Sequence, residues 1–126
     1  MTRESIIRIG GASGFWGDSA IALPQLLREP QLDFIIFDYL AEITMSILVR
    51  ARAGDPALGY VPDFVRLVTR HLPDIARRRV RLIANAGGVN PRACAQLLEQ
   101  RIVDAGFALK VGVVAGDDLL EQVDNL

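Results

Sequence analysis

Ile6-Ile7-Arg8-Ile9-Gly10-Gly11-Ala12-Ser13-Gly14 sets the pattern on which the whole chain is built. Ile6 to Ile9 is a β-branched run that reads as a short strand, and Gly10-Gly11 reads as the tight turn that ends it. The same pattern recurs along the chain. Asp33 to Phe37 carries four consecutive apolar residues, as a strand covered on both faces of a parallel sheet does. Val80 to Ala84 is closed by Asn85-Ala86-Gly87-Gly88, and Ala108 to Val114 by Ala115-Gly116-Asp117-Asp118.

Between these strands the apolar period becomes helical. Ala20 to Leu27 supplies a helix capped by Asp18 or Ser19, which Pro24 either kinks or starts. Ala41 to Ala53 supplies the next, with Ile43, Ile47 and Met45-Leu48 sharing a face and Gly54-Asp55-Pro56 ending it. Val61, Phe64, Val65, Val68, Leu72 and Ile75 make the apolar stripe of a third helix. Pro62 suits its first turn, and Pro73 is expected to bend or restart it. Asn90 caps a fourth helix that begins at Pro91, buries Cys94, Leu97, Leu98 and Ile102, and ends at Gly106. Leu119 to Leu126 resembles the first turns of another.

Strands alternating with helices imply parallel pairing through right-handed crossovers. The expected fold is α/β: an open parallel sheet with alternating helices, Rossmann-like and three-layered, and incomplete. Residues 1–126 are expected to be the N-terminal segment of a single α/β domain, a fragment of a longer protein.

The composition is globular, 51% hydrophobic and 23% charged. Fourteen basic residues against fifteen acidic ones leave no electrostatic footprint for nucleic acid or an anionic membrane. Arg77-Arg78-Arg79, with Arg81 close by, is the one basic run; it reads as cations at a helix C-terminus, with a phosphate or coenzyme A patch as the alternative. A single cysteine, Cys94, fits a reducing compartment, and no signal-peptide or membrane-length apolar run is present, so a cytoplasmic protein is expected. One histidine, His71, and one cysteine make no zinc constellation. His71 lies between apolar helix positions and reads as structural.

In an open parallel sheet, ligands bind outside the C-terminal ends of the strands. Those ends are rich in small and polar residues. Gly10, Gly11, Ser13, Gly14 and Asp18 follow strand one, Asp38 and Glu42 strand two, Asn85, Gly87, Gly88 and Asn90 strand three, and Gly116, Asp117 and Asp118 strand four. Taken singly, such glycines are turn residues and Asp18, Asn90 and Asp117 helix caps. Taken together they define a composite site. Its acids could hold a hard cation or act as acid and base.

The Gly10–Gly14 loop and Asn85-Ala86-Gly87 resemble elements of the short-chain dehydrogenases, which would imply a nicotinamide cofactor. Gly17 falls one residue late for that fingerprint, however, and Trp16 stands where the pyrophosphate requires close backbone approach.

Five segments in order resemble a different family. They are Ile9 to Ser19, Phe37 to Met45, Asp55-Pro56-Ala57-Leu58-Gly59-Tyr60, Asn85-Ala86-Gly87-Gly88-Val89-Asn90-Pro91 and Val114-Ala115-Gly116-Asp117-Asp118. Together they are similar to the N-terminal part of the acyclic terpene utilisation family. The resemblance implies a longer protein that accompanies acyl-CoA dehydrogenases, biotin-dependent carboxylases and enoyl-CoA hydratases in the degradation of branched acids. It also implies shared loops at Gly10 to Asp18, Asp38 to Glu42, Asn85 to Asn90 and Gly116 to Asp118.

Three functions remain. The first is an enzyme or enzyme component acting on an acyl-CoA or related carboxylic intermediate. Here Asp38, Glu42 and Asp117 serve as acid, base or cation ligand, and the glycine loops bind the anionic or carbonyl group. The second is a short-chain dehydrogenase-like oxidoreductase dependent on NAD(P). The third is a non-catalytic binding or assembly subunit of a carboxylase complex. Partners left open are a small-molecule or acyl-CoA substrate, a second copy of the chain or a carboxylase; neither nucleic acid nor membrane is expected, and the residues name no cofactor.

Overall fold

A computed structural model describes residues 6–125. Met1 to Ser5 and Leu126, the last residue of the expected closing helix, lie outside the described residues. The element order is β1 (Ile9–Ser13), α1 (Ala22–Leu26), β2 (Phe34–Phe37), α2 (Glu42–Gly54), α3 (Pro62–Arg78), β3 (Arg81–Ala84), α4 (Pro91–Asp104) and a closing 3-10 turn at Leu120–Asn125. The three strands form one parallel sheet in the order β1-β2-β3.

The first strand sits later than its β-branched run. Gly10 and Gly11 are strand residues, paired with Ile35 and Ile36, and the loop begins after Ser13. Packing explains the shift, because a Cβ at Gly10 would lie 2.8 Å from Leu26 Cδ2. Glycine there lets α1 and the Leu32 turn press against the sheet, and it does not serve as a turn residue.

Successive right-handed crossovers in one direction place their helices on the same face. Leu23 of α1 and Leu27 just after it, the α3 stripe, and Cys94, Leu98 and Ile102 of α4 accordingly form one core with Ile35 and Phe37. Phe64 meets the Phe37 ring edge-on, with centroids 5.2 Å apart. On the opposite face Ile9, Ile36 and Ile83 are 58%, 41% and 56% exposed. The described residues therefore make two layers, and the apolar run of β2 is covered on one side only.

All six residues of the predicted stripe are buried: Val61 directly before α3, and Phe64, Val65, Val68, Leu72 and Ile75 within it. The helix runs through Pro73 without a break, since Pro73 lies on its exposed side, where the unbonded carbonyl it creates can face water. Helix α4 starts as predicted and ends in a Schellman motif. Gly106 has φ +79°, with Phe107 N–H donating to Ile102 O (3.0 Å) and Gly106 N–H to Val103 O (2.9 Å).

Two further predictions are corrected. In α2 the buried pair is Thr44 and Leu48, whereas Ile43 and Ile47 point outward. Ala108 to Val114 forms no strand: Phe107, Leu109 and Val111 are half-buried in strand-like alternation, yet no ladder joins them to β3. These side chains pack against the core, and Leu109 and Val111 line a groove of about 900 Å³ along the edge of β3 together with residues of α3 and α4. No helix among the described residues is long and apolar enough to cross a membrane.

Candidate functional site

Hydrogen bonds between the loops, spaced far apart in sequence, assemble the C-terminal ends of the three strands. Asp38, directly after β2, donates its N–H to Ser13 O (3.2 Å), and Ser13 Oγ returns a long bond to Asp38 O (3.4 Å). Asn85, directly after β3, donates from Nδ2 to Asp38 Oδ1 (2.7 Å) while its Oδ1 accepts the Tyr39 N–H (2.7 Å). Ser13, Asp38 and Asn85 thus form one line across the strand ends. Asn85 pins one carboxylate oxygen of the exposed Asp38, and Oδ2 has no protein donor among the described residues. Such a carboxylate can accept a proton or a substrate hydrogen bond.

The first loop is fastened on both sides. Trp16 N–H donates to Tyr39 O (3.2 Å), and its indole N–H donates to Asp63 Oδ2 (2.7 Å) in the first turn of α3. Asp63 also pairs with Arg66. Asp18 closes its own loop by accepting the Gly14 N–H (2.8 Å); neither it nor Ser19 is the N-cap of α1, which is Ile21, although Ser19 Oγ accepts the N–H of Ala22 at the start of that helix (3.2 Å). Gly17, Asp18, Tyr39, Asp63, Arg66 and Arg70 surround a depression of about 250 Å³.

The third loop carries its glycines for packing. Gly88 has φ +53°, and a Cβ there would lie 2.7 Å from Gly59 O; a Cβ at Gly87 would lie 2.7 Å from Pro91 Cβ. Asn90 caps α4 through Ala93 N–H (3.4 Å), and its Nδ2 donates to Pro56 O and Leu58 O (2.9 and 2.8 Å).

Arg52, at the end of α2, joins this loop to the last cluster. Its guanidinium donates to Val89 O (2.6 Å) and to Asp118 Oδ2 (2.9 Å). The Arg52 hydrogen bond, followed by that from Leu120 N–H, holds the Asp118 carboxyl below the usual carboxylate range. Arg52, Gly88, Arg92, Gly116, Asp117 and Asp118 line a second depression of about 370 Å³.

The predicted residues therefore divide. Ser13, Asp38 and Asn85 meet directly. Gly14 and Asp18 stand on the β1 side, and Gly87, Gly88, Asn90 and Gly116 to Asp118 on the β3 side. Gly10 and Gly11 lie within the strand. Glu42 is exposed in the first turn of α2, beside Ile43.

The sequence reading missed Trp16 as a tie, its partner Asp63, and the Arg52–Asp118 pair. No local spacing announces bonds across 47 or 66 residues. Burial raises the Tyr39 phenol to about 12 and the Cys94 thiol to about 11, so both are protonated at neutral pH. Cys94 is core packing, as expected.

The family model described as "acyclic terpene utilisation family protein AtuA" matches residues 7–126. The chain belongs to the acyclic terpene utilisation family. No curated protein and no solved structure gives a significant match. In this member of the family, the loop segments that carried the resemblance after β1, β2 and β3 are the ones tied together through Ser13, Asp38, Trp16 and Asn85. The Gly116–Asp118 segment joins them through Arg52.

Proposed function

We propose that this chain contributes the strand-end site of an enzyme, or enzyme component, acting on an acyl-CoA or related carboxylic intermediate in the catabolism of acyclic terpenes and branched acids. The observation that carries the reading is the Ser13–Asp38–Asn85 line at the ends of adjacent parallel strands, in a member of a family named for terpene utilisation. Asp38 is the acid–base candidate, with its reactive oxygen oriented by Asn85. Glu42 and Asp117 are the second carboxylates, one on each flank. Arg66 and Arg70 on one side, and Arg52 and Arg92 on the other, supply cations for a carboxylate or thioester oxygen. Ile43 and Ile47, exposed next to Glu42, offer apolar surface for a branched acyl chain.

The dehydrogenase alternative has less support. Helix α1 has five residues and begins at Ala22, well past Gly14, so no helix N-terminus stands at the glycine loop to receive a pyrophosphate. The half-buried Trp16 fills part of that loop instead.

Replacing Asp38 by Asn in the intact protein tests the proposal. Turnover of a branched acyl-CoA should fall at least a hundredfold, in line with loss of a general acid or base at about 10²–10⁴-fold, while the melting temperature holds. Unchanged turnover would remove Asp38 from the chemistry.

A further inference from the structure

A basic groove lies at the opposite ends of the strands. It has a volume of about 720 Å³ and is bordered by Arg8, Arg78, Arg79 and Arg81. A helix-end role accounts for Arg78 and Arg79 but not for the other two. Arg8 precedes β1 and Arg81 opens β3, so two segments far apart in sequence, Arg8 and the 78–81 stretch, bring arginines to one place.

Asp33 is the carboxylate in the lining, and its Oδ2 accepts the backbone N–H of Arg8 (2.8 Å). Among the described residues none of the four arginines forms an ion pair. Arg78 donates to the Glu29 carbonyl, which helps fix its position. The Arg81 guanidinium lies over the Phe34 ring, 5.6 Å from its centroid. Stacking of this kind uses the guanidinium face and leaves its in-plane N–H edge for a ligand. In a chain with net charge −1, four cations around one engaged carboxylate repel one another unless an anion joins them.

We propose that this groove binds the phosphate groups of a nucleotide-bearing ligand. Arginine forks match phosphate oxygens bidentately, and several of them around one cavity suit a diphosphate or a phosphorylated ribose. Identification of that ligand with the nucleotide end of coenzyme A rests on the acyl-thioester reading above; the phosphate chemistry does not. The groove and the strand-end site lie at opposite ends of strands of four or five residues, about 13–17 Å along the strand axis, a distance an extended pantetheine arm spans.

Calorimetric titration of the intact protein with pyrophosphate, coenzyme A and poly-glutamate tests the groove. Both phosphate ligands should bind, more weakly as salt rises, and Arg79→Gly combined with Arg81→Gln should weaken each at least tenfold. Arg79 has φ +55°, where glycine is unstrained, so that change preserves the fold, and circular dichroism checks it. Failure of pyrophosphate and coenzyme A to bind, or equal binding to the variant, overturns the proposal. Tighter binding of poly-glutamate than of pyrophosphate overturns it too. Pyrophosphate binding that the variant loses, without coenzyme A binding, supports the groove and counts against the acyl-thioester reading. Coenzyme A binding that the variant keeps does the reverse.

Discussion

Gly88→Ala is expected to lower stability by about 3 kcal/mol, combining roughly 1 kcal/mol for a left-handed non-glycine residue with the cost of overpacking a tight site. Gly88 has φ +53°, and its new methyl would lie 2.7 Å from Gly59 O, closer than a Cβ can settle. That carbonyl already accepts the Val89 N–H at 2.9 Å, so it cannot retreat without breaking the bond between the 55–59 turn and the third loop. The methyl would also meet Leu48 of α2. Thermal melting should show a drop of about 10 °C for a domain of this size. Gly11→Ala is the control. It has no neighbour within 4 Å and no positive φ, so it should stay within about 0.5 kcal/mol of the parent. Equal melting of the two variants would mean that the third loop is not packed as described.

Asn85 should have the next largest effect, on stability and function together. Asn85→Leu removes the acceptor of the part-buried Tyr39 N–H and the donor to Asp38. A stranded backbone donor costs about 1–3 kcal/mol, and chemical denaturation should register that loss. Asn85→Asp keeps an acceptor for Tyr39 but sets a second carboxylate against Asp38 Oδ1. The site is exposed, so the stability cost should be smaller than for leucine, while turnover should fall at least tenfold as the Asp38 carboxylate leaves its position. If Asn85→Asp retained full turnover, the orientation of Asp38 by Asn85 would not matter to the reaction.

The sequence reading succeeded where a signal was local. β2 and β3 are short apolar runs within a residue of their predicted bounds, and α3 and α4 start where Val61-Pro62 and Asn90-Pro91 place them. It failed where the cause lay in another part of the chain. Gly10-Gly11 looks like a breaker until Leu26 and Leu32 are seen pressing on it. Ile43, Ile47 and Leu48 all satisfy a helical period, but the facing surface accepts Leu48 with Thr44 and leaves the two isoleucines outside. Ala108 to Val114 has strand composition and strand alternation, yet pairing depends on backbone contact with β3, which composition does not encode.

The site was legible to the same degree. Asp38 and Asn85 stand out as polar residues directly after strands, and the parallel topology brings them together. Trp16–Asp63 and Arg52–Asp118 are tertiary bonds without a sequence signature. The glycine roles changed with the structure. Gly10, Gly87 and Gly88 are explained by close packing and Gly11 is a strand residue, which shifts the weight of the proposed site from the glycine turns to the Asp38 carboxylate and its neighbours.

Amide hydrogen exchange of the intact protein, with and without a branched acyl-CoA, tests whether the ligand seats on the strand ends. The ligand should slow exchange in segments 13–18, 38–43 and 85–90 together, since hydrogen bonds join these loops into one surface. Protection confined to other parts of the chain, or none at saturating ligand, would contradict the placement of the site at the strand ends.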